Sequence, residues 1–527
     1  MSEHYDVVIV GAGIAGAAFA VALSQISLPS SHSSKSSKSS DPRLKESNEH
    51  EKKSLRILLL ERNLSEPHRI VGELLQPGGV RALQSLNLSS TLSGIGSIPV
   101  QGYAVVHSGS VVRIPYPDEK EGRSFHHGRF VQRLREGARG AEGVDVVEGA
   151  VVSLVECPHT GHVIGVRART TEEEGERVFF GDLTVVADGC FSNLRSKVIP
   201  GIMSRAQTKS HFCGLVLEDV SLPYRNHGTV CLIPGSGPVL LYQIEEHDTR
   251  ILIDIKEPLP KDLKGHIEKN IVPHLPSSLQ PAVTTALSKD RLQRMPNTFL
   301  PPSAQSSSSK EGVILLGDAW NMRHPLTGVG GMTVALTDVV RLRDLLASYL
   351  HSNATSSNPS PSPLTEWNKI AEILDTWHWS RKPLSSTINI LSVALYDLFG
   401  ADDEDLQVLR NGCFKYFELG GECIRGPVSL LSGITPSPLV LAYHFFSVAF
   451  YSIWVMFFHP RPVPSSSSPT SSNSSSTSST QDGGDGKVVM RRPSVGEYPA
   501  LVLRSFTVFW TACVVFGPLV WSEIRWW

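Results

Sequence analysis

One stretch near the start of the chain limits the possible folds more than any other. Residues 5–16 read Tyr-Asp-Val-Val-Ile-Val-Gly-Ala-Gly-Ile-Ala-Gly, and a run of small residues follows. This order predicts a strand, a tight turn and a helix. Gly11 would form the turn, Gly13 would let a pyrophosphate approach the backbone, and Gly16 would let the helix pack on the strand. Because free N–H groups at a helix N-terminus favour anions, we expect a dinucleotide-binding domain.

An acidic residue at the end of the next strand supports this interpretation. The strand predicted over residues 55–60, Leu-Arg-Ile-Leu-Leu-Leu, ends at Glu61, which lies 50 residues after Gly11. The usual separation is on the order of 20–25 residues. Residues 27–54 contain a Ser-rich tract without periodicity, which is typical of a surface insertion, and removing it restores the spacing. The alternative is a glycine turn in another kind of α/β domain.

Composition excludes several classes of protein. The 527 residues suffice for two or three domains, and a net charge of −2 gives no reason to expect a nucleic-acid partner. Seven scattered cysteines without a CxxC motif predict neither a disulfide framework nor a zinc site, and favour a reducing compartment. His126 and His127 have no further ligand at a suitable spacing, so we predict no metal site. Because the first strand starts by residue 5, no cleavable signal peptide is expected.

Two further motifs place an aspartate at the end of a predicted strand. Asp188-Gly189 follows residues 183–187, and Arg195 stands six residues after the glycine. Gly317-Asp318 follows residues 312–316 and precedes a Pro/Gly-rich loop and a helix from about residue 332 to 350. Asp318 could accept a hydrogen bond from a ribitol or ribose hydroxyl, and the helix N-terminus would favour negative charge on a reduced ring. An ordinary Asp-Gly turn and a helix-capping aspartate are the alternatives.

Between these motifs the sequence predicts a bend and a second sheet. Arg69 and Gln76 flank a glycine-rich bend, which either lies against the reactive ring of a cofactor or is a capped turn with a surface arginine. Residues 101–117 contain a strand pair, and residues 211–256 alternate as antiparallel strands do. We expect these strands to form a separate sheet that floors a substrate cavity.

The three motifs stand in the order found in single-component flavoprotein hydroxylases, in which all three wrap one FAD. The chain resembles these proteins, and it is more closely similar to the squalene monooxygenase (squalene epoxidase) family, fungal members in particular. The blocks that carry the resemblance are residues 69–83, 125–130, 295–302, 321–328 and 413–423. Val329 departs from the family pattern as an inserted residue, which would shift the loop before Met332.

The resemblance implies roles for individual residues. Tyr103 and Gln76 would lie at the boundary between flavin and substrate and share a hydrogen bond. Asp188 and Arg195 would belong to a motif linked to both FAD and NADPH. The residues implied to bind FAD are Gly11, Gly13, Gly16, Glu61, Arg62, Arg69, Arg129, Val151, Asp188, Asp318 and Met332.

The chemistry that the family implies sets a requirement on the substrate site. Epoxidation of an isolated alkene needs an electrophilic oxygen, which a flavin C4a-hydroperoxide would supply, and it needs no catalytic base. The protein must exclude water, so we expect an apolar tunnel. Burial of several hundred Å² of squalene at about 25 cal/mol per Å² would contribute roughly 10 kcal/mol before entropy losses. Residues 395–399 and 414–417 would suit its wall, although such stretches are commonly helix core.

The C-terminal region contains two apolar stretches. Residues 438–458 carry no Asp, Glu, Lys or Arg, and residues 499–520 are interrupted only by Arg504. Each could span a bilayer, or both could form a helical anchor embedded from the cytosolic side, which the resemblance favours. The Ser/Thr/Pro-rich segment 462–485 between them is expected to be disordered.

We therefore predict an α/β fold with a Rossmann-like FAD-binding domain, an α+β second domain with an antiparallel substrate sheet, and a C-terminal helical membrane anchor. The predicted division is residues 1–100, 126–200 and 301–350 for FAD binding, 101–125 and 201–300 for the substrate domain, 364–437 for a helical pocket segment and 438–527 for the anchor.

The predicted function is FAD-dependent conversion of squalene and O2 to (S)-2,3-epoxysqualene in sterol (ergosterol) biosynthesis. NADPH would supply electrons through an NADPH–cytochrome reductase, on the cytosolic face of the endoplasmic reticulum membrane, in microsomes or on lipid droplets. Two alternatives remain: a related flavin enzyme acting on another polyprenoid or an aromatic ring, and a flavin-binding membrane scaffold without turnover.

Overall fold

The computed structural model describes residues 3–27, 54–170, 175–199, 206–289, 292–300, 310–323, 330–400, 403–464 and 488–524. Most of the predicted insertion (28–53), the inserted Val329 and most of the predicted linker (465–485) lie outside the described residues.

The strands are β1 (Glu3–Val10), β2 (Ile57–Glu61), β3 (Leu74–Leu75), β4 (Ile98–Val100), β5 (Gly102–His107), β6 (Ser110–Pro115), β7 (Gly122–Ser124), β8 (Val144–Glu156), β9 (Val163–Thr170), β10 (Glu176–Val186), β11 (Gln207–Glu218), β12 (His227–Leu232), β13 (Val239–Gln243), β14 (Asp248–Lys256), β15 (Gln293–Phe299), β16 (Val313–Leu315), β17 (Arg461–Pro464) and β18 (Val488–Arg491). The helices are α1 (Ile14–Ser24), α2 (Pro77–Ser85), α3 (His127–Arg139), α4 (Arg195–Val198), α5 (Leu263–Asn270), α6 (Gln280–Lys289), α7 (Gly330–Ala354), α8 (Trp367–Phe399), α9 (Glu404–Glu418), α10 (Glu422–Leu431), α11 (Pro438–Phe458) and α12 (Tyr498–Ile524).

A parallel sheet forms the first layer of the molecule. Strands β8, β2, β1, β10 and β16 lie side by side in parallel, and β9 pairs antiparallel with both β8 and β10. Helices cover this sheet, so strands such as β2 are continuous apolar runs, and Ile57 to Leu60 are fully buried. The carboxyl ends of β1 and β2 meet at the same edge because the two strands are parallel. That edge carries the glycine turn and Glu61.

A seven-stranded sheet forms the second unit, in the order β15-β11-β14-β13-β12-β5-β6. Its pairs are antiparallel except β12 with β5. The side chains alternate between two cores: Phe212 packs on one face with α8 to α10, whereas Cys213 packs on the other with α5 and α6. Strands β3, β7 and β4 form a small sheet of their own. The predicted fold class is confirmed by this mixed architecture.

The C-terminal helices α11 and α12 are each long and apolar enough to cross a membrane. Both leave large apolar side chains exposed, as Leu439 and Phe450 do on α11 and Leu503 and Trp510 do on α12. Their other faces pack on α8, α9 and α10. The two helices also contact each other, where the Phe445 ring of α11 stacks on the Phe516 ring of α12 at 4.2 Å between centroids. An exposed face of this kind is typical of contact with lipid or protein.

The sequence predicts helices over residues 80–86 and 130–138 and a capped helix that carries Arg195, and the structure differs at all three. Helix α2 begins at Pro77 rather than at residue 80, because proline is well suited to the first helical position. Helix α3 begins at His127 rather than at residue 130, which places Arg129 in its first turn. The helix predicted after Asp188-Gly189 is a single short turn, α4.

Candidate active site

The glycine turn after β1 leaves room for a ligand. Gly11 has φ +101°, and a Cβ there would lie 2.6 Å from the carbonyl oxygen of Ala187. A Cβ on Gly16 would lie 1.9 Å from the carbonyl oxygen of Gly11, so both positions require glycine for packing. A Cβ on Gly13 would meet no atom of the described residues within 4 Å. The backbone of Gly13 is therefore open to an incoming group.

Glu61 closes the same edge of the sheet. The backbone N–H of Ala12 donates to Glu61 Oε2 at 2.8 Å, and the guanidinium of Arg135 lies 3.5 Å from that oxygen. Arg135 Nε also donates to the carbonyl oxygen of Ala12 at 2.9 Å. The sequence reasoning missed Arg135. Its signal was a charged residue on the buried stripe of α3, beside Val131, Leu134 and Ala138.

Arg195 joins the two aspartate motifs. Its guanidinium donates to the carbonyl oxygens of Ala319 at 2.7 Å, Asp318 at 3.1 Å and Gly189 at 3.2 Å. Arg195 is buried, so these bonds hold the Asp188-Gly189 turn against the Gly317-Asp318 turn. Burial raises the pKa of the Asp318 carboxyl, and Arg69 and Arg195 oppose that shift.

These turns border a cavity of about 190 Å³ whose wall includes Gly13, Arg69, Gly189, Asp318 and Met332; we call it the dinucleotide pocket. The N-terminus of α7 also borders it. Asp188 Oδ1 is buried and finds no hydrogen-bond partner among the described residues. An open glycine backbone, the Arg69 guanidinium and the Asp318 carboxylate in the pocket wall fit a ligand that carries both phosphates and hydroxyls.

The remaining predicted cofactor residues lie outside the wall of this pocket. Arg62 is exposed, and Val151 is a half-buried residue of β8 at the margin of the core. Arg129 NH1 donates to Glu245 Oε1 at 2.7 Å. Their contacts with a cofactor stay predictions.

The paired histidines lie in different environments. His126 Nε2 lies 3.3 Å from a carboxylate oxygen of both Glu245 and Asp248, a grouping whose ligand atoms could reach one metal ion. The Arg129 guanidinium also pairs with Glu245, so a network of ion pairs describes this group of side chains more simply than a metal site does. His127 instead borders the dinucleotide pocket and lies 3.0 Å from the carbonyl oxygen of Gly72 through Nδ1. Burial and the nearby Arg69 lower the pKa of His127 to about 4, so it is neutral near pH 7.

A second cavity, which we call the apolar cavity, has a volume of about 120 Å³. None of the described residues that line it carries a charged side chain. It is lined by Leu74, Tyr103, Val105, Ile114, Gly228, Thr229, Val230, Leu240, Leu241, Tyr242, Leu391, Leu395, Phe399, Phe417, Pro427, Val428 and Leu431. The two stretches predicted to suit a tunnel wall contribute Leu395, Phe399 and Phe417.

Tyr103 supplies one of the few polar groups in the wall of the apolar cavity. Gln76 Nε2 donates to the Tyr103 hydroxyl oxygen, and both side chains are buried. Burial raises the pKa of Tyr103 to about 12, so the phenol stays protonated at neutral pH. The pair predicted from the resemblance is therefore a hydrogen-bonded pair in this structure.

The two cavities share two walls. In the segment after β2, Gly72 borders the dinucleotide pocket and Leu74 borders the apolar cavity. Between them Glu73 is buried and receives two hydrogen bonds from Arg250, at 2.8 and 2.9 Å, which fix the segment to β14. The second shared wall is α8. Its residues Ile388 and Ser392 border the dinucleotide pocket, whereas Leu391 and Leu395 border the apolar cavity.

Comparison with known proteins agrees with this geometry. Residues 180–468 match the family model described as squalene epoxidase. The chain is 41% identical to squalene epoxidase erg1 of Aspergillus fumigatus over 99% of this chain and 94% of the relative. It is 38% identical to squalene monooxygenase of Mus musculus over 99% of this chain and 78% of the relative.

A solved structure shows the same fold. A probable FAD-dependent monooxygenase from Pseudomonas aeruginosa superposes with a TM-score of 0.56 and 19% identity, covering 76% of this chain and 97% of its own. The chain belongs to the squalene epoxidase family.

Proposed function

We propose that the two cavities act together, with FAD in the dinucleotide pocket and squalene in the apolar cavity. The observation that carries this assignment is the pair of shared walls: α8 and the segment around Glu73 each face both cavities. The two cavities thus adjoin, so a polar cofactor in one and an apolar substrate in the other would come into direct contact where the cavities meet. The relatives named squalene epoxidase and squalene monooxygenase supply the substrate class.

The residues that would hold FAD are those whose chemistry suits its parts. Glu61 would accept from the adenosine ribose, and the open backbone at Gly13 would face the pyrophosphate. Arg69 and Asp318 would contact the flavin portion, with Met332 packed beside it. The reduced flavin would supply the activated oxygen, of which one atom is added to the alkene and the other leaves as water.

The apolar cavity would position squalene and keep water away from the reacting groups. Squalene offers no hydrogen-bonding groups, so contact with side chains such as Leu395 and Phe399 supplies its affinity. The protonated Tyr103, held by Gln76, would fix the polar end of the cavity without adding charge. No proton has to be removed from the alkene, which agrees with the absence of charged side chains among the described lining residues.

The electron donor and the location are finer parts of the proposal. We propose NADPH as the source of electrons, passed through an NADPH–cytochrome reductase, on the cytosolic face of the endoplasmic reticulum. The exposed apolar faces of α11 and α12 support attachment to a membrane, where a lipid-soluble substrate would be concentrated.

Purified full-length protein supplied with FAD, NADPH, a cytochrome reductase and O2 tests the function. We expect the 2,3-epoxide from squalene, and little product from a shorter polyprenoid or an aromatic compound. The Gln76→Ala and Tyr103→Phe variants should retain FAD while turnover falls about tenfold or more. Absence of epoxide from squalene would reject the assignment. A reduced flavin that never reacts with O2 in the presence of squalene would indicate a scaffold.

A further inference from the structure

The last turn of α12 enters a buried polar cluster next to the dinucleotide pocket. Glu523 is 5% exposed, and both of its carboxylate oxygens are occupied. Oε1 accepts from Arg323 at 3.1 Å and from Asn389 at 3.0 Å. Oε2 accepts from Lys382 at 3.0 Å and from Ser386 at 3.1 Å. An apolar helix thus ends with a carboxylate fully bonded inside the protein.

Glu523 follows the buried stripe of its helix. Val508, Ala512 and Phe516 face the protein at spacings of four residues, and Glu523 comes one heptad after Phe516. Leu503, Phe506 and Trp510 are exposed on another face of the helix. The helix therefore has one apolar face available for lipid and a second face directed at the protein, on which Glu523 is a buried charged residue.

Arg323 connects this cluster to the dinucleotide pocket. It borders the pocket, and its guanidinium also donates to the carbonyl oxygen of Leu300. Arg323 lies five residues after Asp318 and a few residues before the N-terminus of α7, which also borders the pocket. Glu523 thus holds a side chain of the pocket wall through a 3.1 Å ion pair, although it lies 200 residues away in the chain.

The charges of the cluster make Glu523 hard to replace. Arg323 and Lys382 are both buried cations, and the carboxylate of Glu523 lies between them. Removal of one partner from a buried ion pair leaves an uncompensated charge, which costs much more than the loss of a surface pair. The residue at the other end of the helix gives a natural comparison: Arg504 pairs with Glu404 at 2.9 Å and Asp405 at 3.5 Å, and it is partly exposed.

We propose that Glu523 is a positioning residue of the cofactor site, so that the apolar C-terminal helix is a structural part of the dinucleotide pocket. Glu523 holds Arg323 in the pocket wall and pairs with both buried cations, Arg323 and Lys382. The FAD site can then bind its ligand only when α12 is packed on the protein. This inference rests on the proposed function only in taking FAD as the ligand.

The test compares Glu523→Gln with Arg504→Gln in the full-length protein and measures FAD affinity by quenching of flavin fluorescence. We expect Glu523→Gln to weaken FAD binding by about tenfold or more and to shift the flavin absorption bands, because Arg323 loses its partner. The KM for squalene should stay within about twofold. Arg504→Gln, which removes a partly exposed pair at the other end, should leave FAD affinity within about twofold.

A double variant separates positioning from general damage. If Glu523 acts through Arg323, Arg323→Gln should weaken FAD binding much less in the Glu523→Gln background than in the wild type. If Glu523→Gln does not fold, Glu523→Asp keeps the charge on a shorter side chain and should give an intermediate loss. Unchanged FAD affinity in Glu523→Gln, an equal loss in Arg504→Gln, or additive effects would overturn the inference. FAD affinity decides these outcomes even if wild-type protein forms no epoxide from squalene.

Discussion

The dinucleotide pocket and the apolar cavity are neighbours built in opposite ways. The pocket is formed by short motifs in which single residues have defined tasks, as Gly13, Glu61 and Asp318 do. The cavity is formed by apolar side chains from β5, β12, β13, α8, α9 and α10, none of which has a unique task. Recognition of a polar ligand therefore depends on the identity of individual residues, whereas recognition of an apolar ligand depends on the shape of the cavity and the exclusion of water. This difference predicts how each region should respond to substitution.

The largest effect should come from the glycine turn. Gly16→Ala places a Cβ 1.9 Å from the Gly11 carbonyl oxygen, a clash with backbone, so we expect loss of folding and of soluble yield. Gly13→Ala meets no atom of the described residues within 4 Å and should fold, while FAD affinity falls because the methyl group occupies the ligand's space. Thermal unfolding and FAD titration of the two variants give the comparison. A folded, FAD-loaded Gly16→Ala protein would contradict it.

The second prediction concerns the free energy of unfolding at acidic pH, to which His127 in the wall of the dinucleotide pocket contributes. The pKa of His127 falls from the usual 6.5 to about 4 on folding, so the unfolded chain binds a proton between these values and the native protein does not. This contribution to the free energy of unfolding is flat above about pH 6.5 and is lost as the pH falls towards 4, by roughly 3 kcal/mol in total. His127→Gln should remove this part of the slope. Urea unfolding at pH 7 and pH 4.5 measures it, and identical slopes in both proteins would reject it.

The apolar cavity should respond more mildly but selectively. Leu395→Gln adds an amide to a wall without charged groups, so we expect the KM for squalene to rise about tenfold. FAD content should not change, because Leu395 borders the apolar cavity while Ser392 borders the dinucleotide pocket. Leu395→Met, which keeps the wall apolar, is the matched control and should stay near the wild type. Loss of FAD in Leu395→Gln would show that the two regions cannot be separated.

The smallest effect should distinguish two arginines that the resemblance treats alike. Arg69 borders the dinucleotide pocket, whereas Arg129 is engaged by Glu245 at 2.7 Å. We expect Arg69→Gln to weaken FAD binding by about tenfold and Arg129→Gln by no more than about twofold, since a half-exposed ion pair contributes little. Isothermal titration of FAD into both apoproteins measures the ratio. Equal losses of FAD affinity in the two variants would indicate that Arg129 also contacts the cofactor.

The sequence predicted the pocket better than the cavity for a physical reason. A glycine at a turn or an acid at a strand end leaves a local signature, so Gly11 and Glu61 could be identified from their positions at the ends of apolar runs. Leu74 and Leu391 could not, because apolar periodicity does not tell which neighbour an apolar face will meet. The starts of α2 and α3 were misjudged by three residues, because the first turns Pro77-Gly-Gly and His127-Gly-Arg carry no apolar periodicity that marks a helix.

The functional importance of buried charged residues was also not predicted from the sequence. Arg135 and Glu523 both stand on otherwise buried stripes of their helices, and each is paired with residues far away in the sequence. Such partners cannot be read from spacing, because the pairing exists only after the fold brings the elements together. The charge on the buried stripe was the one visible signal, and at both positions it marks a side chain beside the cofactor site.

A structure of the protein with FAD and a squalene analogue bound tests the central claim most directly. We expect the flavin between Gly13 and Met332 and the hydrocarbon between Tyr103 and Phe417, with one alkene in direct contact with the flavin where the two cavities adjoin, beside α8 and the Gly72–Leu74 segment. A hydrocarbon bound outside the apolar cavity, or a flavin separated from it by other side chains, would contradict the account.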